Sequence, residues 1–303
     1  MSDAPRINSL RGTQRSDEPM AKHVSWRAGG RARVFYQPAD VADLCEFMKT
    51  IEPSMPVLFV GLGSNLLVRD GGFEGAVVFT HHALTGIESP EPLRFTAGAG
   101  VPAPHLARFV AKHGGAGAEW MAGVPGTIGG ALAMNAGCYG GETWDYVNSV
   151  QTLDRSGTLH RRTPKDYEIG YRHVARVASG EEWFVSGDFA FVPGDEKKAM
   201  ARMRELLAKR VATQPLSQPN AGSVFRNPDG DHAARLIESC GLKGFSIGGA
   251  QVSPKHANFI VNTGGALAAD IEALIDHVQA TVSQRTGIHL IREVRIVGEH
   301  AHG

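Results

Sequence analysis

Cysteine is scarce in this chain of 303 residues, and the three that occur, Cys45, Cys138 and Cys240, lie far apart. Neither a disulfide framework nor a paired-cysteine metal knuckle can be written from them, which points to a reducing compartment, the cytoplasm. A charge surplus is missing too, because 31 basic residues balance 31 acidic ones. A protein that tracked a nucleic-acid backbone or an anionic membrane would favour a basic excess, so neither is expected as a partner and any charged ligand must be met locally. No apolar run approaches the length that spans a bilayer. The opening stretch, Met1 to Pro19, mixes acids and arginines around no apolar centre and does not read as a signal peptide. The thirteen histidines show no metal-ligand spacing, and His81 and His82 are expected on opposite faces of a strand, so no metal is expected.

Glycine is what the chain has in excess: 37 residues, about 12% where about 7% is ordinary. No Gly-X-Y period accompanies it, which rules out a collagen-like chain, so each glycine has to be explained where it stands.

Residues 1–22 are polar and aperiodic and are expected to form a flexible arm. Val41, Leu44, Cys45, Met48 and Ile51 recur every three to four residues, which predicts a helix over 39–51. A strand at 56–60 runs into a glycine turn, with further strands expected at 76–80, 93–97, 149–153 and 183–191 and a helix at 103–112. A charged helix at 195–212, with Met200, Met203, Leu206, Leu207 and Val211 on one face, followed by a Pro- and Gln-rich stretch, marks a domain boundary. Beyond it lie helices at 232–240 and 268–284 and strands at 258–261 and 290–297.

Two glycine segments carry the chemistry. Gly61-Leu-Gly-Ser-Asn65 has Leu66 where a dinucleotide fingerprint needs its third glycine, and Leu66-Leu-Val-Arg69 does not read as a helix start, so a Rossmann site is disfavoured. Gly61 and Gly63 permit positive φ and let backbone N–H groups converge on an anion, with Ser64 and Asn65 adding side-chain donors. The second segment runs through Gly123, Val124, Pro125, Gly126, Thr127, Gly129, Gly130, Asn135 and Gly137. Its small residues would let backbone lie against a flat or phosphorylated ligand, although tight turns and close packing use glycine in the same way. Two such segments in one chain favour a large ligand.

These segments, together with His23-Val-Ser-Trp-Arg-Ala-Gly-Gly30, Gly117-Ala-Glu-Trp-Met-Ala122, Ala221-Gly-Ser-Val-Phe-Arg-Asn-Pro228 and Ile291-Arg-Glu-Val-Arg295, run in order along the chain. They resemble the MurB family of UDP-N-acetylenolpyruvoylglucosamine reductases, in its second type. The resemblance implies an α+β fold: a two-lobed FAD-binding domain of the vanillyl-alcohol-oxidase (PCMH) type over 23–212, its lobes split near 90–100, then an α+β substrate-binding domain over 213–303. It also implies non-covalent FAD, NADPH as reductant, a UDP-sugar enolpyruvyl ether as small-molecule substrate in peptidoglycan precursor synthesis, and a monomer.

By the same resemblance Ser223 is the proton donor, Arg172 and Glu293 share the catalytic work, and the cofactor segments are the two glycine runs with Arg295. Tyr171, Arg226, Asn227 and His256 fall where the family holds its substrate. The residue types suit these tasks. A carbanion is basic enough to take a proton from a serine hydroxyl, an arginine holds a carboxylate bidentately, and an acid beside apolar neighbours can be kept protonated. Alternation in the final strand puts Ile291, Glu293, Arg295 and Val297 on one face, where Glu293 and Arg295 could equally form an ion pair. Val174 stands where the family often has a polar residue two after the arginine, which weakens one expected hydrogen bond to Arg172, and Cys138 replaces a usual alanine. A flavin oxidase or dehydrogenase of the same fold, with its cofactor tethered at His81 or His82, and a catalytically silent flavin or sugar-nucleotide-binding module are the alternatives.

Overall fold

The computed structural model describes residues 10–301. The chain divides into two units, neither of them continuous in sequence. The first comprises residues up to Ser16, then Val34–Gly61 and Gly75–Met200; the second takes Asp17–Arg33, Leu62–Glu74 and Ala201 onward. A single cut near residue 212 therefore does not describe this division, because two short N-terminal stretches belong with the last hundred residues.

The first unit is built on two sheets. One has the strand order Thr13–Pro19, Arg31–Gln37, Phe73–Phe79, Val57–Val60, with the last pair parallel. Helix α1, Val41–Thr50, starts at Asp40, whose carboxylate accepts the Asp43 N–H as an N-cap. It buries Leu44, Phe47 and Met48 in a core with Tyr36, Val78 and Val185, and Tyr36 stacks on Phe47 at 3.8 Å. The second sheet is antiparallel in the order Leu159–Arg162, Val147–Asp154, Glu182–Ala190, Arg94–Gly98, Ile87–Glu91. Helices α2, Ala103–Lys112, and α3, Ile128–Met134, complete this unit.

Helix α4, Glu196–Thr213, carries the chain into the second unit. Met203 and Leu206 on it are buried, but Leu207 and Val211, expected on the same apolar face, are exposed. The second unit has a three-stranded antiparallel sheet, Ser246–Ile247, Ala250–Val252 and Ile260–Asn262. Helices α5, Ala233–Ser239, and α6, Ala268–Thr286, pack with it. Ile271, Leu274, Ile275, Val278 and Val282 recur at helical spacing and enter a core with Trp26, Leu67 and Leu236. Asp70 accepts the Ala268 and Ala269 N–H groups at the start of α6, at 3.0 and 2.8 Å, and Gly287, at φ 75°, ends it. The strand Leu66–Val68 pairs in parallel with Arg295–Val297.

Three expectations are corrected. Residues 13–22, read as part of a flexible arm, form the edge strand Thr13–Pro19 and the short 3-10 turn Met20–Lys22; residues 1–9 of that arm lie outside the described ones. An edge strand whose first five residues are all exposed stays polar, so its composition resembles a loop. The strand expected over 290–297 is regular only at Arg295–Val297. His81 and His82 lie in a turn after Phe79, and with His82 at φ 66° their rings face each other 3.8 Å apart instead of pointing to opposite sides.

Candidate active site

In the first unit the chemistry converges on Arg172. Tyr167–Gly170 and His173–Arg176 form a hairpin in register Gly170 to His173, which leaves Tyr171 and Arg172 as a two-residue tip. Arg172 has φ 53°, a region that a residue of its shape rarely adopts unless its surroundings hold it there. Its guanidinium donates to the Asn135 carbonyl at 3.1 Å and the Gly137 carbonyl at 2.5 Å, lies 3.8 Å from the Glu142 carboxylate, and sits 4.8 Å from the half-exposed Tyr171 ring. Val174 pairs with Ile169 in the hairpin, and the two main-chain carbonyls that Arg172 reaches need no polar side chain at 174.

Asn135, expected beside the cofactor, is a buried hub of the protein itself. At φ 42° it ends α3. Its amide donates to Glu142 and to the Gly170 carbonyl, and its Oδ1 accepts the Trp144 N–H. Gly137 pairs with Glu142; a side chain there would overlap the Gly141 carbonyl and press within 3.0 Å of Glu142 Cγ. Glu142 is a residue that sequence reasoning misses, and only its position five residues after Gly137 hints at it. The hairpin base is pinned by charge: Glu182, whose side chain is 3% exposed, binds Arg176 at 2.7 Å and Arg162 at 2.6 Å. Burial would raise the Glu182 carboxyl, but hydrogen bonds from Arg162 and Thr152 and the two arginine charges outweigh it and hold the group below its ordinary value.

The glycine run of this unit serves two ends. A Cβ on Gly61 would overlap the Thr127 hydroxyl, one on Gly123 would meet Tyr139 and Cys138 at 2.7 and 2.8 Å, and one on Gly129 would meet Ala99 at 2.9 Å. Close packing inside the protein therefore demands these glycines. Exposed Gly130, by contrast, has nothing within 4 Å of that position. Val124 is buried, Pro125 is exposed, and the Gly126 carbonyl accepts the Ala103 N–H of α2. Thr127 is 1% exposed, and its hydroxyl has no hydrogen-bond partner among the described residues.

The second unit carries Ser223 and Glu293. Gly222, at φ 74°, turns the chain into half-buried Ser223. The next residues are stitched in place by Asn258, which donates from Nδ2 to the Phe225 carbonyl (2.8 Å) and accepts the Phe225 N–H at Oδ1 (3.0 Å). The Asn258 carbonyl accepts the Val224 N–H. From the other side the N–H groups of Glu293 and Val294 both reach the Val224 carbonyl, at 2.8 and 3.4 Å. Two residues oppose one here, the pattern of a bulge. Around the bulge Val294 is buried, Ile291 and Arg295 are exposed, and Glu293 is half-buried.

Gly63, at φ 60°, leaves no room for a side chain against the His23 carbonyl, and Ser64 is half-buried. Asn65 Nδ2 donates to the Glu293 carbonyl at 3.1 Å. Arg226 donates its N–H to the Ile291 carbonyl, while its buried Nε has no partner among the described residues. Asn227 is exposed, and its Oδ1 accepts the Ala233 N–H at the start of α5. His256 lies edge-on to Phe259 at 4.7 Å and accepts the Asn258 N–H at Nδ1; burial pushes its imidazole below the usual value. Arg172 thus belongs to one unit and Ser223 and Glu293 to the other. Among the described residues no group of three or more His, Cys, Asp or Glu side chains is placed to hold a metal ion.

Residues 32–163 match the family model of an FAD binding domain, and residues 214–297 match that of the C-terminal domain of UDP-N-acetylenolpyruvoylglucosamine reductase. The reductase of that name from Thiobacillus denitrificans is 55% identical, with 96% of this chain and 94% of that one covered. This chain belongs to the UDP-N-acetylenolpyruvoylglucosamine reductase family. The reductase of Legionella pneumophila (strain Lens) is 49% identical over 98% of this chain and 96% of its own. The crystal structure of the family member from Thermus caldophilus, 29% identical, superposes with a TM-score of 0.78 over 95% of this chain and 99% of that one. The fold is accordingly α+β, an FAD-binding domain of the PCMH type joined to the family's C-terminal domain. The residues present fit an FAD: a buried hydroxyl at Thr127 without a partner among the described residues, bare backbone beside it at Gly61, and open space over Gly130.

Proposed function

We propose that this protein reduces the enolpyruvyl ether of UDP-N-acetylglucosamine to the lactyl ether of UDP-N-acetylmuramate. FAD is held non-covalently and NADPH is the reductant. When bound, FAD supplies a hydride to the terminal carbon of the enolpyruvyl double bond. The rest of the reaction falls to the chain. Arg172 holds the substrate carboxylate in its fixed guanidinium fork and carries the negative charge that spreads into that carboxylate as the hydride arrives. Ser223 gives its hydroxyl proton to the adjacent carbon, which completes the net addition of hydride and proton across the double bond. Glu293, bonded through its backbone to that serine's segment, steadies the enolate by donating a hydrogen bond, and bulk solvent restores the serine proton.

The observation that most supports this assignment is the Glu293 N–H to Val224 carbonyl bond, which joins the backbone segments of the expected acid and the expected proton donor at 2.8 Å. Gly61, Gly63, Ser64, Thr127, Gly130 and Arg295 line the cofactor's side, and Tyr171, Arg226, Asn227 and His256 the sugar nucleotide's. Both ligands are cytoplasmic metabolites, so the enzyme works in the cytoplasm, as a monomer.

The test separates the half-reactions. In Ser223→Ala, NADPH should still bleach the bound flavin anaerobically, whereas reoxidation by the enolpyruvyl sugar nucleotide should slow by about 10²-fold or more, the scale of a lost general acid. Reoxidation at the native rate would remove Ser223 from the mechanism. Protein that cannot be loaded with FAD would overturn the whole reading, and flavin that stays with acid-precipitated protein would favour a tethered oxidase.

A further inference from the structure

The Asn65 carboxamide, placed by its sequence among the donors to an anion, gives one of its two N–H groups to the protein. Its Nδ2 donates to the Glu293 carbonyl at 3.1 Å, and its own carbonyl accepts the Arg295 N–H at 3.0 Å. On the opposite side the Val224 carbonyl takes the N–H of Glu293. The Glu293 backbone is therefore gripped twice, at its N–H by the segment that carries Ser223 and at its carbonyl by the loop that follows Gly61. Glu293 precedes the regular strand Arg295–Val297, so its carbonyl lies outside that ladder, where the amide reaches it. Removing one of these holds loosens the peptide, and a looser peptide lets the carboxyl move.

We propose that Asn65 is a positioning residue for Glu293. Its amide sets where the Glu293 carboxyl stands relative to Ser223, and so ties the glycine loop of the cofactor side to the protonation step. This rests on the reductase reading above. A hydrogen bond of this kind contributes only about 1 kcal/mol to folding, whereas a displacement of about 1 Å in a reacting group can cost about 10²-fold in rate. Loss of the amide should thus be felt in one half-reaction far more than in stability.

The experiment uses the FAD-loaded full chain with Asn65→Ala and the isosteric Asn65→Asp, which lacks the donor. In FAD-saturated protein, checked by fluorescence titration, the rate of flavin bleaching by NADPH and the melting temperature should stay close to native. Reoxidation by the enolpyruvyl sugar nucleotide should slow about 10-fold to 10²-fold, and the pH dependence of that step should move. Independently of turnover, amide hydrogen exchange over residues 291–295 should accelerate about tenfold in both variants, the effect of losing one local hydrogen bond. If FAD affinity collapses while the remaining bound flavin is reoxidised at the native rate, Asn65 is a cofactor ligand and the proposal falls. Unchanged exchange over 291–295 also overturns it, as does a parallel loss of both half-reactions and melting temperature. A native enzyme that the enolpyruvyl substrate fails to reoxidise would sink the reductase reading instead, and the exchange result would still decide whether Asn65 holds Glu293.

Discussion

The two units hold their reactive side chains by different means. The first presents a permanent charge, Arg172, on a two-residue hairpin tip with a left-handed backbone, and braces it with charge and carbonyl oxygens: Glu142 at the guanidinium, Glu182 with two arginines at the hairpin base. The second presents Ser223 and Glu293, which in the proposed reaction give up or share a proton, on irregular extended segments, and braces their main chain with neutral amides from Asn258 and Asn65. A guanidinium keeps its charge at any physiological pH, so neighbouring carboxylates orient it without changing its state. A proton donor would be retuned by a nearby formal charge, and uncharged amides fix its geometry without that cost.

The contrast can be broken at three places. Glu182→Gln should have the largest effect, a loss of about 3 kcal/mol in chemical denaturation, because it leaves two arginines facing a buried position without their counter-charge. The Glu182 carboxyl titrates below its ordinary value of 4.5, so its contribution is complete above that pH and is lost as pH falls through the lowered value. The stability gap between native and variant should therefore narrow below about pH 4.5; a gap that is constant with pH would mean that charge is not what braces the hairpin. Next, Arg172→Lys should cut reoxidation by the enolpyruvyl substrate about 10²-fold, since a single ammonium cannot span the Asn135 and Gly137 carbonyls and still present a fork. Bleaching by NADPH should be untouched. The smallest effect belongs to the neutral braces: Asn258→Ala should cost about 2 kcal/mol in urea unfolding, with faster hydrogen exchange confined to residues 223–226. If that variant instead shifts the pH profile of reoxidation while stability holds, the amide tunes the proton donor and does not merely hold it.

Much of this architecture is legible in the amino-acid sequence. Helical periodicity locates α1, α2, α4 and α6 to within two residues at each end. The missing third glycine after Gly63 correctly argues against a helix start there, and the chain forms the strand Leu66–Val68 instead. The rest is hidden for physical reasons. The edge strand Thr13–Pro19 keeps five exposed residues and so looks like a loop. The hairpin that aims Arg172 is four residues a side and turns on an arginine with positive φ, a turn for which glycine or asparagine would have been the signal. The Glu293 bulge depends on the Val224 carbonyl, about seventy residues away, and local alternation holds no trace of it. Asn65 and Asn135 stand out in their glycine runs, but pattern alone does not tell an amide that faces a ligand from one that faces its own chain.

One pairing has a consequence for how the molecule comes into being. Leu66–Val68 finds its ladder partner at Arg295–Val297, and Asn65 meets Glu293 across 228 residues of sequence. A ribosome has therefore made more than two hundred further residues before the glycine loop can lock. Contacts of such long range close slowly because the intervening loop must be gathered first. Any nascent or truncated chain that stops short of Arg295 therefore lacks the ladder partner of Leu66–Val68, and the glycine loop before that strand stays unpinned until the last residues are made.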